Sequence, residues 1–484
     1  MKNIFHRVLT FVCGVAALSS CSLSQAPLSH EATLPATYQR ALPDTGSMAQ
    51  EPWDVFYADT SLRGFIAIAL QNNPDTRAAL QRIRLAYADY ALMQGRMLPN
   101  VNALVKGNVE RFGRYTMNGI GNEDTNRSES LPADQQLPNP YPEWFAGLSF
   151  SWEVNLWGKL SSRRQAALNR LMASEEMHHG VMTWLISAIA ENYYELMGLD
   201  QERKVLLENL RLQEFGLELV TIQKAGGKVN QLAVDQFEST LLSTRTRLVR
   251  VEQNIRVTEA RVNQLLGRYP QPLTRDSITH YRPIREVKAG QPERLLAYRP
   301  DIREAEFNLR ATHADVRAAR AAFYPSLNVM ATGGFSAFDV SKWFLTPGSS
   351  VYSLGAGLSA PIFQRRRIKA LYASATARQQ LALTLYEKSL LTGYHEVFAL
   401  LHNFYSLRTQ IDLKQQETDV LHRAFASSND LFAVGFATYL EVIMAQRRVL
   451  DVELELTDLR MEQLKNVAAL YRATGGGWNP ASGR

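Results

Sequence analysis

Two proline-free stretches most strongly limit what this chain can fold into. The chain has 484 residues and 19 prolines, yet none lies within residues 143–269 (127 residues) or 362–479 (118 residues). A proline inside a helix costs about 3 kcal/mol, so its absence over such lengths permits very long helices. Within the first stretch, mostly apolar residues recur at spacings of three and four and would form one stripe along a helix, as in a coiled coil. It consists of Leu248, Val251, Ile255, Thr258, Val262 and Leu265.

Turn residues near the middle of each stretch predict that it folds back as a hairpin. Gly226 and Gly227 interrupt the first stretch, and Val434-Gly435-Phe436 interrupts the second. The predicted helices cover about 160–224, 229–267, 364–433 and 438–473. At about 1.5 Å per residue, the longer arms would reach about 100 Å, more than a compact soluble enzyme requires. Several shorter, kinked helices are the alternative.

The chain also contains a duplicated unit. Four segments recur in the same order: 73–77 as 299–303, 99–102 as 325–328, 147–149 as 357–359, and 227–234 as 435–442. Ordered recurrence at similar offsets indicates two copies of one structural unit. We therefore predict a first repeat over 59–267 and a second over 292–477, joined by an irregular, proline-containing linker over 268–291.

Each repeat holds two segments in which apolar residues alternate. The predicted strands cover about 99–112, 144–157, 325–338 and 351–363, with apolar residues at odd, even, odd and even positions respectively. Runs of about 9–13 residues suit tilted strands that cross a bilayer, although a half-buried soluble sheet alternates identically. The loops, about 113–141 and 339–350, are polar and would face outward. The predicted membrane-interface aromatics are Trp144, Trp152, Trp157, Tyr352 and Phe363.

Four strands cannot close a membrane barrel. A sheet in a bilayer must have no open edge, because unpaired backbone groups find no water there. The strands must therefore be completed by other copies of the chain. Two copies would supply eight strands and three would supply twelve. The sequence does not choose between these numbers, but a helix-lined conduit needs the wider ring.

The N-terminus predicts export and lipidation. Lys2 and Arg7 precede a short apolar run and the sequence Leu18-Ser19-Ser20-Cys21, which resembles a bacterial lipobox. The run is too short to span a bilayer. We expect a signal peptide over 1–20, a lipid on Cys21, a lipid-anchored segment over 21–58 and a C-terminal tail over 478–484. Ser22 follows the cysteine instead of the aspartate that retains lipoproteins in the inner membrane, which favours the outer membrane.

Composition argues against several other classes of protein. The net charge is only +6, and no cationic run exceeds Arg365-Arg366-Arg367, so nucleic-acid binding is not expected. Cys21 would be lipidated and Cys13 removed with the signal, which leaves no disulfide or thiolate metal site. The nine histidines form no His-x-x-x-His pair, so the sequence does not predict a histidine metal site. It also contains no nucleophile elbow and no phosphate loop, so it does not predict an enzyme. We expect no cofactor, and the only group that we expect to be attached covalently is the lipid on Cys21.

Together these features resemble the outer-membrane factor family, the TolC-like channels of tripartite efflux pumps, and most closely its lipoprotein (NodT-type) branch. The resemblance spans about 53–478 and is most specific over 434–447 and in the tail Gly475-Gly476-Gly477-Trp478. It implies a homotrimer whose twelve-stranded outer-membrane β-barrel continues into a periplasmic α-helical barrel. It also implies a passive conduit for small molecules, opened by a periplasmic adaptor (membrane fusion) protein and an inner-membrane pump of the RND type.

The resemblance further implies two kinds of site on the hairpins. The family pattern Leu-Asp-Val-Leu-Asp-Ala reads here as 440–445, where Glu441 keeps the first carboxylate and Met444 replaces the second. Glu441, with Asp430 as a second candidate, would line the aperture, where repulsion among three copies would raise the pKa. A solvated charge on a helix face is the alternative for Glu441. The predicted adaptor-docking turns are Gly226, Gly227, Val434, Gly435 and Phe436, although any chain reversal favours glycine.

A second hypothesis has no pore. A lipid-anchored periplasmic scaffold could use the same long hairpins to bind partners. Such a scaffold would not need an outward band of apolar strand residues bounded by polar loops, and this feature separates the two hypotheses.

Overall fold

Four long helices and a four-stranded sheet dominate the fold. The computed structural model describes residues 35, 37, 38, 46–275 and 286–478, and all of them belong to a single unit that begins at Pro35. In chain order the described helices and strands are α1 (Trp53–Phe56), α2 (Thr60–Asn72), α3 (Pro74–Gly95), β1 (Asn100–Glu110), α4 (Met117–Asn126), β2 (Tyr141–Val154), α5 (Lys159–Ala225), α6 (Gln231–Leu265), α7 (Leu295–Tyr298), α8 (Pro300–Ala321), β3 (Ser326–Ala337), β4 (Ser350–Ser359), α9 (Arg365–Ala433) and α10 (Tyr439–Ala473).

The long helices are continuous, as the proline-free stretches predict. Helix α5 has 67 residues and α9 has 69, so each is about 100 Å long. Helices α6 and α10, which descend from the two hairpin tips, have 35 residues each. The alternative of several shorter helices is therefore wrong. Apolar residues of three of these helices form one cluster: Val205, Leu206, Val251, Leu450 and Leu454.

The structure contains several helices that the sequence interpretation left out, and the longest of them occurs once in each repeat. Helices α3 and α8 have 22 residues each and begin with Pro74 and Pro300. Proline suits the first position of a helix because its missing N–H would be unsatisfied there anyway. The signal was therefore present in the repeated Pro-Asp pairs. Both helices pack against α5, and α8 also packs against α9.

Two strands differ from their predicted bounds. Strand β2 covers Tyr141–Val154, so Trp157 lies beyond it. The N–H of Leu156 turns back to the carbonyl oxygen of Val154 at 2.9 Å, which ends the strand. Strand β4 stops at Ser359, and Phe363 lies beyond it, since Pro361 has no N–H for a strand hydrogen bond. The first hairpin loop, for which the sequence predicts only a polar character, contains helix α4.

The strands form one antiparallel sheet in the order β1-β2-β3-β4, so β2 and β3 join the two repeats. Paired residues in antiparallel strands lie on the same face. The register pairs Leu148 of β2 with Ala103 of β1 and with Gly333 of β3. Even positions of β2 therefore share a face with odd positions of β1 and β3, which confirms the predicted alternation. One face is therefore apolar across the sheet: it includes Val101, Ala103, Val105, Trp144, Ala146, Leu148, Phe150, Trp152, Val154, Leu327, Val329, Ala331, Phe335, Tyr352, Leu354, Ala356 and Leu358.

Aromatic residues join the N-terminal part of the described chain to the end of α10. The rings of Phe56 and Tyr471 are stacked with their centroids 4.0 Å apart. The Tyr471 hydroxyl donates to the carbonyl oxygen of Glu51 at 2.6 Å, and the Tyr193 hydroxyl donates to Asp59 at 2.6 Å. These contacts fix residues before α2 against both long hairpins.

Candidate functional site

The first hairpin tip is a tight turn closed by two glycines. Helix α5 ends at Ala225, and Gly227 has a positive φ of 74° that favours glycine. The N–H of Lys228 then donates to the carbonyl oxygen of Gln223 at 2.9 Å, which satisfies a carbonyl at the helix end. Asn230 caps α6 by accepting from the N–H of Ala233 at 3.2 Å.

The second tip repeats this geometry with different side chains. Gly435 has a φ of 85°, and the N–H of Phe436 donates to the carbonyl oxygen of Leu431 at 2.9 Å. Val434 and Phe436 are 68% and 85% exposed, so the turn presents apolar side chains to its surroundings. Both turns lie where the glycines predict them. Adaptor docking by these residues remains a prediction.

Glu441 is part of a capping box at the start of α10. Its carboxylate accepts hydrogen bonds from the backbone N–H of Thr438 at 2.6 Å and from the Thr438 hydroxyl at 3.1 Å. The bond from the Thr438 N–H is the main reason why the pKa of Glu441 lies below its ordinary value. The sequence interpretation missed this role, although Thr438-x-x-Glu441 is the recognised signature.

Asp430 and Glu441 lie on opposite sides of the second turn, one near the end of α9 and the other in the first turn of α10. Both side chains are exposed, and no hydrogen bond joins them within the described part of the chain. A single chain does not test the aperture role of either residue. That role therefore remains a prediction.

The two hairpins pack against each other near their tips. Val220, Ala233 and Phe237 of the first hairpin form a buried cluster, and Tyr439 and Ile443 of the second hairpin pack against it. The start of α10, which carries Glu441, is thereby fixed to the neighbouring hairpin. A movement of one tip must disturb the contacts of the other.

The predicted interface aromatics lie toward the two ends of the sheet. Trp144 and Tyr352 lie toward the end that carries the hairpin loops. Trp152 lies toward the opposite end, and Trp157 and Phe363 follow the ends of β2 and β4. The indole N–H groups of Trp152 and Trp157 donate to backbone carbonyl oxygens of Met97 and Pro325, at 3.0 and 2.7 Å. Contact with the membrane interface remains a prediction for all five aromatics.

Both outer strands of the sheet have a free edge within the single chain. Strand β1 pairs only with β2, and β4 only with β3, among the described residues. Almost every residue of β1 and all of β4 are exposed, whereas the residues of β2 and β3 are mostly half-buried. A bilayer would not tolerate such edges, so both must find partners.

The predicted signal peptide and lipidation site lie outside the described residues, and the C-terminal tail lies mostly outside them. Cys21 and the signal peptide fall in the undescribed N-terminal region, and of the tail only Trp478 is described. Within the described residues, no group of His, Cys, Asp and Glu side chains could hold a metal ion. The described helices also include none with the length and apolar character needed to span a membrane.

Known proteins share this sequence and fold along almost the whole chain. The outer membrane efflux protein family model matches residues 65–268 and 291–476. The pyoverdine export outer membrane protein OpmQ of Pseudomonas aeruginosa is 31% identical, over 99% of this chain and 97% of its own. The cation efflux system protein CusC of Escherichia coli is 29% identical, over 96% and 98%. A crystal structure of CusC covers 92% of this chain and 97% of its own, with a TM-score of 0.79 and 25% identity. The chain therefore belongs to the outer membrane efflux protein family, whose members are the outer-membrane channel components of tripartite efflux systems.

Proposed function

We propose that three copies of this chain close a twelve-stranded barrel, in which β4 of each copy pairs with β1 of the next. The observation that carries this proposal is the sheet itself, with its one apolar face and two free edges. A head-to-tail contact that closes on itself forms a ring and leaves no edge. Three copies supply twelve strands, enough to continue into a helix-lined conduit.

The long hairpins then carry the conduit away from the membrane. Helices α5 and α9 begin where β2 and β4 end, and their tips lie about 100 Å further along the helix axes by helix rise. In the proposed assembly, the tips contact a periplasmic adaptor and, through it, an RND-type inner-membrane pump. The exposed Val434 and Phe436 side chains provide an apolar contact surface for the adaptor.

The conduit performs no chemistry on its cargo in this proposal. OpmQ is named for pyoverdine export and CusC for cation efflux, and this chain is similar to both. We infer that cargo is selected by the pump and adaptor and that the barrel transmits it passively. The lipobox at Leu18-Ser19-Ser20-Cys21 supports a lipid on Cys21 that holds the N-terminus at the outer membrane.

A scaffold without a pore accounts less well for the sheet. Lipid on Cys21 would tether a scaffold on its own, and an apolar sheet face with open edges would then be a liability for aggregation. The barrel gives both features a purpose. For that reason the conduit is preferred.

Cysteine cross-linking tests the ring directly. Val105 on β1 and Leu354 on β4 lie mid-strand on the apolar face. The double variant Val105→Cys/Leu354→Cys should give covalent trimers when outer membranes are treated with a short bifunctional maleimide. Each single variant should remain monomeric on denaturing gels, because β1 meets β4 and never another β1. Dimers as the largest product of the double variant, or cross-linked dimers from either single variant, would refute the head-to-tail ring.

A further inference from the structure

A cleft of about 550 Å³ lies where strands β2, β3 and β4 meet the long helices. Trp157 lines it, with its ring stacked on Tyr324 at a centroid distance of 5.0 Å. Ile362 and Phe363 also line the cleft, and they are 72% and 99% exposed. The cleft therefore has an aromatic and apolar wall that is open to its surroundings.

The same cleft is rich in positive charge. Lys159, Arg163 and Arg367 line it, against a single carboxylate, Glu153, which is ion-paired with Lys159. The guanidinium groups of Arg163 and Arg367 form no hydrogen bond or ion pair with any described residue. Two arginines with unused donors thus face one cavity. Arg367 belongs to the longest cationic run of the sequence, which the conduit function does not explain.

These cations have little local compensation. They lie in the first two turns of α5 and α9, and neither helix has an acidic residue in its first turn. The positive end of a helix dipole disfavours cations, so the dipole adds to the positive potential in the cleft. An anion bound there would relieve that repulsion.

The cleft is continuous with the apolar face of the sheet. Val154, the last residue of β2, belongs to that face and also lines the cleft. The strands meet the long helices at this end, which is the periplasmic end of the proposed barrel. The cleft therefore lies at the level of lipid headgroups in the periplasmic leaflet.

We propose that the cleft binds the phosphate headgroup of an anionic glycerophospholipid. Arg163 and Arg367 donate to the phosphate, since a guanidinium matches phosphate oxygens with two parallel N–H groups. Trp157 lies beside the headgroup, and an acyl chain runs along Val154 and Phe363. Cations next to a membrane surface attract anionic lipids in the same way. This inference rests on the membrane placement given in the proposed function.

Lipid titration of the assembled protein tests the site. The delipidated full-length trimer is titrated in detergent with short-chain phosphatidylglycerol or phosphatidylcholine, and bound lipid is counted by native mass spectrometry. The wild type should prefer phosphatidylglycerol. The double variant Arg163→Gln/Arg367→Gln should bind phosphatidylglycerol roughly tenfold more weakly or worse, because it loses charge-assisted hydrogen bonds to the phosphate. The matched control is Arg211→Gln/Arg423→Gln, which removes two exposed arginines lower on the same helices and should bind like the wild type.

Three outcomes would overturn the lipid site. The first is equal phosphatidylglycerol affinity in the wild type and Arg163→Gln/Arg367→Gln. The second is displacement by inorganic phosphate at matching concentration, which assigns the cleft to a free anion. The third is a trimer without bound lipid because a neighbouring copy covers the cleft. Bilayer conductance of the same preparation separates the two proposals: a conducting trimer without lipid preference refutes only the lipid site, and loss of the trimer refutes the conduit.

Discussion

Asn73 and Arg299 occupy equivalent positions in the two repeats, and each donates a hydrogen bond to the end of the descending helix of its own repeat. The Asn73 amide lies 2.9 Å from the carbonyl oxygen of Leu265, and the Arg299 guanidinium lies 2.8 Å from that of Ala473. Both side chains are buried, and both precede the proline that begins the next helix. Each repeat is therefore closed at the same point by a different side chain.

Substitution of Asn73 should loosen the first repeat. The Asn73 side chain also accepts from the N–H groups of Asp75 and Thr76, so it caps α3 as well. Asn73→Ala removes both functions and should destabilise the protein by about 2 kcal/mol. Asn73→Ser keeps an oxygen that can cap α3 and loses only the donor to Leu265, so its effect should be smaller. The midpoint of thermal unfolding by circular dichroism measures both, and equal loss would contradict the separate roles.

Arg299 should matter more than Asn73 because it is also an ion-pair partner. Its guanidinium bonds to Asp301 and to Glu396, at 2.7 Å each. Arg299→Met leaves these carboxylates with an incomplete set of partners, and we expect a loss of about 3 kcal/mol. Arg317→Met is the control, because Arg317 is exposed on the same helix and forms no hydrogen bond or ion pair with a described residue. A smaller shift for Arg299→Met than for Asn73→Ala would contradict this ranking.

Two glycines follow these descending helices and are fixed by close contacts. Gly267 and Gly475 have φ of 70° and 94°, and a Cβ would lie 2.6 Å from the Asn72 oxygen and 2.4 Å from the Tyr298 oxygen. Gly227 has a similar φ of 74° but open space around it. Alanine should therefore cost about 1 kcal/mol at Gly227, from backbone strain alone, and at least about 2 kcal/mol at Gly267 or Gly475. Equal unfolding midpoints for the three variants would show that the contacts are not tight.

The capping box separates two explanations for a leaky conduit. Glu441→Ala removes both a cap and a possible aperture charge, and we expect it to raise single-channel conductance. Thr438→Ala removes the side-chain half of the same capping box and leaves the Glu441 carboxylate in place. If charge controls the aperture, Thr438→Ala should conduct like the wild type in planar bilayers. Raised conductance in both variants would instead assign the effect to the helix start, and unchanged conductance in both would remove Glu441 from the aperture.

The pH dependence of conductance gives an independent test of Glu441. Its pKa is lowered by the Thr438 N–H, so the folded state favours the ionised form. A lowered pKa means that the cap is present at neutral pH and is lost only as the pH falls below the ordinary value of 4.5. Conductance should then be flat between about pH 8 and pH 5. A transition inside that window, absent in Glu441→Gln, would show instead that repulsion in the ring raises the pKa.

Local sequence rules predicted the parts of this fold that depend on local physics. The long helices follow from the absence of proline, and the turns follow from glycines that accept a positive φ. The predicted alternation of apolar residues agrees with the register of the sheet. The anchors at Asn73 and Arg299 were out of reach because their partners lie 192 and 174 residues away. The ends of β2 and β4 were misplaced because a turn hydrogen bond and Pro361 decide them. The cap at Glu441 follows from the local pattern Thr438-x-x-Glu441, which the aperture hypothesis does not use.

The membrane face of the sheet can be tested with one pair of neighbouring residues. Leu148 lies in the middle of the apolar face, paired with Ala103 and Gly333, and Ser149 lies on the opposite face, paired with Asn102 and Thr332. A lysine facing lipid near the bilayer midplane costs about 2–4 kcal/mol, whereas one facing the lumen can remain hydrated. Leu148→Lys should therefore reduce the amount of trimer recovered from outer membranes, and Ser149→Lys should assemble normally. The reverse result would place the apolar face toward the lumen and would contradict the barrel.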